Sequence, residues 1–170
     1  MAGITSCYLV RAEIWLFATI LLYFLVNGAQ IFETLVFVPK WTLSPPQNFN
    51  MLLDGHGASL KFFWIVFHSL HEIAFILAII FCWKIDPVRN WLVVLFAIHF
   101  AVRVWTLGYF APNIIDFQKI ARLEPAPSDL LSRTKTWKNL NYLRVGIFVA
   151  VSFGLIPVCI KLLNTKVAVI

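Results

Sequence analysis

LKFFWIVFHSLHEIAFILAIIFCW, residues 60–83, decides the fold. Its charged residues are Lys61, at the edge, and Glu72, in the middle, and the run is as long as the roughly 20 predominantly apolar residues that a helix needs to cross a bilayer. A strand of a membrane barrel would be about 10 residues of alternating character, and nothing here alternates. Comparable runs cover about 14–38, 91–110 and 140–163. Since the backbone must satisfy itself in lipid, four unbroken runs give an all-α integral membrane four-helix bundle, with 1–170 as a single transmembrane domain. Composition agrees: 61% of the 170 residues are hydrophobic and 13% charged, against about 45–50% and about 25% in soluble domains.

This balance excludes a soluble enzyme, a disordered chain, a disulfide-stapled module and a nucleic-acid binder. The net charge of +6 reads as juxtamembrane Lys and Arg facing anionic headgroups. Lys40, Lys61, Lys119, Arg122, Arg133, Lys135 and Lys138 fall on the side of the two longer loops. Arg11, Lys84, Arg89, Lys161 and Lys166 fall on the other, so the count favours the longer loops in the cytoplasm. Which membrane the chain enters is open.

The breaks between runs suit helices. Val38-Pro39-Lys40-Trp41 ends the first span, Ser44-Pro45-Pro46 prevents its continuation, and Asp86-Pro87 gives a short turn that makes spans two and three antiparallel neighbours. From Pro112 to Lys138 a longer polar connection is expected, with Ser128-Asp129 starting a turn of helix that leads into span four. Trp41, Trp83, Trp91, Tyr109 and Trp137 lie near span ends, where aromatic belts form. Arg11, an apolar stretch and Val26-Asn27-Gly28 imitate a cleavable signal. The apolar run continues past that point, as a retained span would. Cys7, Cys82 and Cys159 are odd in number and have no metal-ligand spacing, which makes them packing thiols. His56, within Asp54-Gly55-His56-Gly57, reads as a solvated loop histidine.

Chemistry has to come from the polar residues inside the spans, where a charge costs about 2.5 to 3.5 kcal/mol at the helix centre and tends to mark function. Tyr23, Asn27, Gln30 and the pair Glu33/Thr34 recur every three or four residues, a single stripe on an otherwise apolar helix. His68, His71 and Glu72 share a face of span two, and His99 and Arg103 share one of span three. Trp137, Asn141, Arg144, Phe148 and Ser152 form the stripe of span four. All four are offset towards the side of the long loops, which predicts an interior pocket opening there. His68, His71, Glu72 and His99 are the candidate catalytic residues. Asn27, Gln30, Glu33, Arg103, Asn113, Trp137, Asn141 and Arg144 are the candidate substrate-binding residues, the arginines as anion holders.

A metal is the alternative cofactor, with none as the first expectation. Glu33, His68, His71, Glu72 and His99 are ligand types suited to iron or zinc, but the Glu-x-x-His repeat of di-metal bundles is absent from the sequence. No Gly-rich phosphate cradle, nucleophile elbow or CxxC occurs either. A purely structural alternative has Glu33 and Glu72 neutralising Arg103 and Arg144 to fix helix register.

Asn27-Gly28-Ala29-Gln30-Ile31-Phe32-Glu33 through Val38-Pro39-Lys40-Trp41, Phe110-Ala111-Pro112-Asn113, and Arg133-Thr134-Lys135-Thr136-Trp137-Lys138-Asn139-Leu140-Asn141-Tyr142-Leu143-Arg144 resemble the anthrone oxygenase-like family of small four-span membrane proteins. The resemblance covers the whole chain in layout, though its motifs are short. It implies oxidation of a polycyclic phenolic anthrone to a quinone without a metal or organic cofactor, with Asn113, Trp137, Asn141 and Arg144 on the family pattern and Glu33 in the first-span signature. His68, His71, Glu72, His99 and Arg103 lie outside that pattern. The function expected is therefore a membrane-embedded oxidoreductase, oxygenase-like, acting on a lipophilic aromatic or phenolic substrate. The alternative is a non-catalytic membrane subunit or a small hydrophobic ligand-binding protein. The partners expected are the lipid bilayer and a lipophilic small molecule, with no nucleic acid and with a homo-oligomer allowed.

Overall fold

A computed structural model describes residues 5–53, 60–122 and 125–168; His56 lies outside them. Of the described residues 88% are helical, and none is in a strand. Helix α1 (Ser6–Phe32) runs into a π-helical turn (Glu33–Phe37) and the short α2 (Val38–Trp41). A 3-10 turn (Gln47–Leu52) leads towards α3 (Leu60–Phe81). Helix α4 (Asp86–Trp105) passes through a second π-helical turn (Thr106–Phe110) into α5 (Ala111–Ile120), and α6 (Leu130–Val167) completes the chain. Four stretches, Ser6–Trp41, Lys61–Phe81, Asp86–Ile120 and Leu130–Val167, are long and apolar enough to cross a membrane. The chain is thus an all-α, multi-pass membrane protein. Residues 26–28, which imitate a signal cleavage site, lie within α1.

The helices outrun the apolar runs that announce them. At 1.5 Å per residue, the 38 residues of α6 span about 57 Å, well beyond the roughly 30 Å of a hydrocarbon core. The connection expected over 112–138 is correspondingly short, since α5 continues through Pro112 to Ile120 and α6 starts at Leu130. Both π-helical turns show why proline fails to stop these helices. Pro39 and Pro112 have no N–H for the carbonyl four residues back, and those carbonyls, of Leu35 and Gly108, sit at the centres of the two π-helical turns. There the bonding shifts to the fifth residue on: the Val38 N–H donates to the Glu33 carbonyl and the Ala111 N–H to the Thr106 carbonyl. The wider π-helical turn carries the helix on into each proline instead of ending it there. Each turn ends on the Phe of a Phe-x-Pro, a recurrence that hydrophobic runs do not reveal.

The chain divides into two compact units, Met1–Asn27 with Lys61–Phe100 and Phe148–Ile170, and Gly28–Leu60 with Ala101–Ile147. In the first, segments of α1, α3, α4 and α6 form a four-helix bundle. Its buried positions advance by alternating threes and fours: Leu9, Ala12, Leu16, Thr19 and Tyr23 on α1, Ile85, Val88, Leu92, Leu95 and His99 from the start of α4 onward, and Phe148, Val151, Leu155, Val158 and Leu162 on α6. That is the spacing of knobs packed into holes. Ala12, Ala74, Ala78 and Gly154 keep helices close, as membrane interfaces require when lipid is as apolar as the side chains. Ile14, Phe17, Leu21, Ile73 and Ile80 are exposed and present apolar surface to lipid. The turn between α3 and α4 is closed by the Cys82 N–H on the Ala78 carbonyl and the Ile85 N–H on the Cys82 carbonyl. Lys166 pairs with Glu13 near the ends of α6 and α1.

Two predictions follow from this packing. A Cβ on Gly154 would meet Leu95 Cδ2 at 2.9 Å, the far end of a side chain that can turn aside. Gly154→Ala should therefore unfold in detergent close to wild type, while Gly154→Val should lose about 1 to 3 kcal/mol through overpacking, read as a lower melting temperature; equal melting of both would refute the close approach. All three cysteines are free, but only two are packed: Cys82 and Cys159 are buried and Cys7 is exposed, which corrects the expectation of three packing thiols. Burial pushes the Cys82 thiol up to about 12, so at pH 8 it holds almost no thiolate. A water-soluble maleimide should label Cys7 and spare Cys82, as peptide mass mapping would show.

The second unit is organised around an aromatic core. Val38, Trp41, Phe49, Phe110, Phe117, Ile120, Leu130 and Trp137 are buried together. Trp41 and Trp137 are 1% and 5% exposed, their rings 4.9 Å apart, so they form no part of an interfacial belt. Trp83 and Trp91, at 55% and 52%, do face outward as expected. The difference lies in the partners: Phe49 from the 3-10 turn and Phe117 from α5 pack on Trp41, and the Trp137 indole N–H has the Phe110 carbonyl at 3.3 Å. Gln118 Nε2 donates to the Leu52 carbonyl at 2.6 Å and pins α5 to the 3-10 turn. Thr42 Oγ1 and Asn48 Nδ2 satisfy carbonyls at the end of α2.

Candidate functional site

The polar stripe of the first span is a buried face. Tyr23, Asn27, Gln30 and Thr34 are all buried, at intervals of four, three and four, while Glu33 is half-buried. Trp137, Asn141, Phe148 and Ser152 do the same for the fourth span, with Arg144 half-buried between them. Of the twelve candidate residues, five (Asn27, His68, His71, Glu72 and His99) belong to the first unit. The other seven (Gln30, Glu33, Arg103, Asn113, Trp137, Asn141 and Arg144) belong to the second.

In the first unit three helices contribute one hydrogen-bonded chain. Tyr23 Oη of α1 lies 2.9 Å from His99 Nδ1 of α4, and His99 Nε2 lies 2.8 Å from Glu72 Oε1 of α3. With the phenol donating to Nδ1, the imidazole carries its proton on Nε2 and donates it to the carboxylate. The three groups differ in access. The side chain of Glu72 is 25% exposed and that of His99 2%, and Tyr23 is 1% exposed. The enclosure is aromatic: the His71 ring meets Tyr23 edge-on at 4.2 Å and His99 at 4.8 Å, and Phe75, Phe96 and Phe148 close around His99. His68 stacks on Trp64, one turn before, at 5.0 Å. Asn27 Nδ2 donates to the Phe148 carbonyl at 3.2 Å, while its Oδ1 is buried and accepts no bond among the described residues.

In the second unit Asn141 is central. Its Nδ2 donates to Thr34 Oγ1 at 3.0 Å and its Oδ1 accepts from Arg144 Nη2 at 2.7 Å. The Arg144 guanidinium stands 4.4 Å from the Phe110 ring centre, a cation–π contact, and the charges acting on it are those of Glu33, attractive, and Arg103, repulsive. Arg144 Nε and Gln30 Oε1 are buried and have no hydrogen-bond partner among the described residues. Asn113 is turned back on its own helix, with Nδ2 on the Tyr109 carbonyl at 2.8 Å. Trp137 belongs to the aromatic core.

As for a metal, no group of three or more His, Cys, Asp or Glu side chains converges among the described residues. His99 gives one ring nitrogen to Tyr23 and the other to Glu72, which leaves it neither lone pair nor orientation for a cation. Sequence reasoning singled out His99 and Glu72 but left Tyr23 out of the site. Its signal was available, because Tyr23 is the first member of the stripe that continues at Asn27 and Gln30. Matched against models of protein families, against curated proteins and against solved structures, the chain has no counterpart in any of the three.

Proposed function

We propose that the chain is a membrane-embedded enzyme that removes a proton from a lipophilic phenolic or aromatic substrate. The observation that carries this reading is the Tyr23–His99–Glu72 chain, whose one accessible group is a carboxylate held by a fixed imidazole N–H. Glu72 is the base. His99 orients its carboxylate, and Tyr23 orients His99, the logic by which triads set one group through another. The oxygenase-like outcome rests on the family resemblance: proton loss from the reactive methylene of an anthrone gives a carbanion that adds dioxygen, and the hydroperoxide loses water to leave a carbonyl. One methylene and one dioxygen give one carbonyl and one water, so dioxygen is the oxidant and the protein supplies the base. The test is purified protein in nanodiscs given anthrone, with oxygen uptake and anthraquinone formation expected at one to one above the spontaneous rate. Turnover at the protein-free rate would overturn the reading.

A second reading, a non-catalytic membrane protein, is favoured by polar bonds of the first unit that join helices without forming a relay, such as the Thr19 hydroxyl on the Ala74 carbonyl at 2.9 Å. In that case Glu72→Leu and His99→Leu, which remove the interhelical bond, would lower the melting temperature of a protein with no activity to lose.

A further inference from the structure

Three cations stand over aromatic rings at one end of the first unit. Lys84 Nζ lies 5.5 Å from the centre of the Tyr8 ring, Arg89 Cζ 5.2 Å from that of Trp83, and Lys161 Nζ 5.8 Å from that of Trp91. This is the end where α1 begins, where the turn joins α3 to α4 and where α6 finishes. The Lys84 backbone N–H donates to Tyr8 Oη at 2.9 Å, and Lys166 pairs with Glu13. The carboxylates described there are both engaged, Glu13 with Lys166 and Asp86 with Arg89 at 2.9 Å. Arg11, Lys84 and Lys161 are exposed and have no ion-pair partner among the described residues. Arg11 follows Tyr8 by one turn of α1, so the two are neighbours on the helix surface. The Tyr8 hydroxyl accepts from Lys84, which leaves its hydrogen to donate. An ammonium, a guanidinium and a phenol O–H are thus gathered with two positive charges that no carboxylate among the described residues balances, and such a set suits a phosphate.

The place of the cluster says which phosphate. Trp83, beside Lys84, is 55% exposed, and Ile73, Ile76 and Ile80 lead up to it along α3 at intervals of three and four, all exposed. An aromatic ring at the interface above an apolar stripe is where a phospholipid lies, its headgroup against basic residues and its chains along the helix. A free phosphate would use the donors and leave the stripe bare. Two cations about one phosphate favour a headgroup of net negative charge, because the choline of phosphatidylcholine would set a third cation beside them.

We infer that Arg11 and Lys84, with the Tyr8 hydroxyl, form a binding site for the headgroup of an anionic phospholipid. The site makes no use of Glu72 and is independent of the proposed function. The experiment titrates the full chain in a nonionic detergent with dioleoylphosphatidylglycerol or dioleoylphosphatidylcholine and counts the lipid retained by native mass spectrometry. Wild type is expected to hold one phosphatidylglycerol in preference to phosphatidylcholine by about tenfold or more, since each basic residue at an anionic headgroup is worth about fivefold. Arg11→Gln and Lys84→Gln should each lower that preference by about fivefold. Lys161→Gln removes one charge from the same end, over the ring of Trp91 rather than that of Tyr8, and should leave the preference within about twofold of wild type. An equal loss in Lys161→Gln would assign the attraction to the whole basic end and overturn the site. Equal retention of the two lipids by wild type would overturn it too, without any variant having to fold. Inorganic phosphate is the third arm: displacement of phosphatidylglycerol at equal concentration would give the donors to a free anion and overturn the lipid.

Discussion

Glu72→Gln should reduce anthrone turnover by about 10²- to 10⁴-fold, the usual loss when a positioned base is removed. The substitution suits the purpose because glutamine keeps an oxygen where Glu72 Oε1 accepts from His99 at 2.8 Å, so the interhelical bond survives while the basicity goes. The loss should fall on kcat, with KM little changed, since the carboxylate acts on the proton and does not hold the substrate. His99→Gln and Tyr23→Phe remove the positioning groups and should cost less. Combined with Glu72→Gln, neither should add its own full effect, because residues that act as one unit are not additive. Full additivity of the His99 and Glu72 effects, or wild-type turnover in Glu72→Gln, would sink the relay. Circular dichroism and melting of each variant separate a lost base from a lost fold.

The helices were legible because lipid imposes so severe a rule on the backbone. Nothing but uninterrupted apolar length satisfies it, and residues 60–83 display that length openly. The inward faces were legible for a related reason: a polar side chain inside a membrane must find a partner or cost several kcal/mol, so 23, 27, 30 and 34 could only lie along one face. What partners those residues find was not legible. Spacing places His68, His71 and Glu72 on one side of α3, but whether Glu72 reaches His99 depends on the rotation of α4, which the sequence of α3 does not contain. The prolines misled for a local reason. Pro39 and Pro112 read as helix ends under the rule for an α-helix, but each follows a π-helical turn and stands at the second position of a helix that continues. The tryptophans misled because belt and core use the same amphipathic ring, and the choice at Trp137 is made by the Phe110 carbonyl and the rings of Trp41 and Phe110, from distant parts of the sequence.

That choice has the second large consequence. Trp137→Ala should destabilise the protein by about 3 to 5 kcal/mol, the cost of emptying a large buried site. An interfacial tryptophan would cost far less, because lipid and water would fill its place. Two effects combine at this position: the vacated volume adjoins Trp41 and Phe110, whose rings lie 4.9 and 5.6 Å from it, and the Phe110 carbonyl loses the indole N–H. Trp137→Phe separates them. It keeps most of the ring contact and removes the donor, so it should cost about 1 to 3 kcal/mol. Unfolding in detergent gives the order expected, wild type above Trp137→Phe above Trp137→Ala. Trp83→Ala, on an exposed ring, is expected within about 0.5 kcal/mol of wild type. Equal losses at positions 83 and 137 would return Trp137 to the membrane interface and remove the aromatic core as the support of the second unit. A core that holds Trp137 also sets the first turns of α6, on which Asn141 and Arg144 follow at one and two turns' distance. The larger substitution should therefore disturb the bonds of Asn141 to Thr34 and Arg144 along with stability, whereas Trp83→Ala should leave both unchanged.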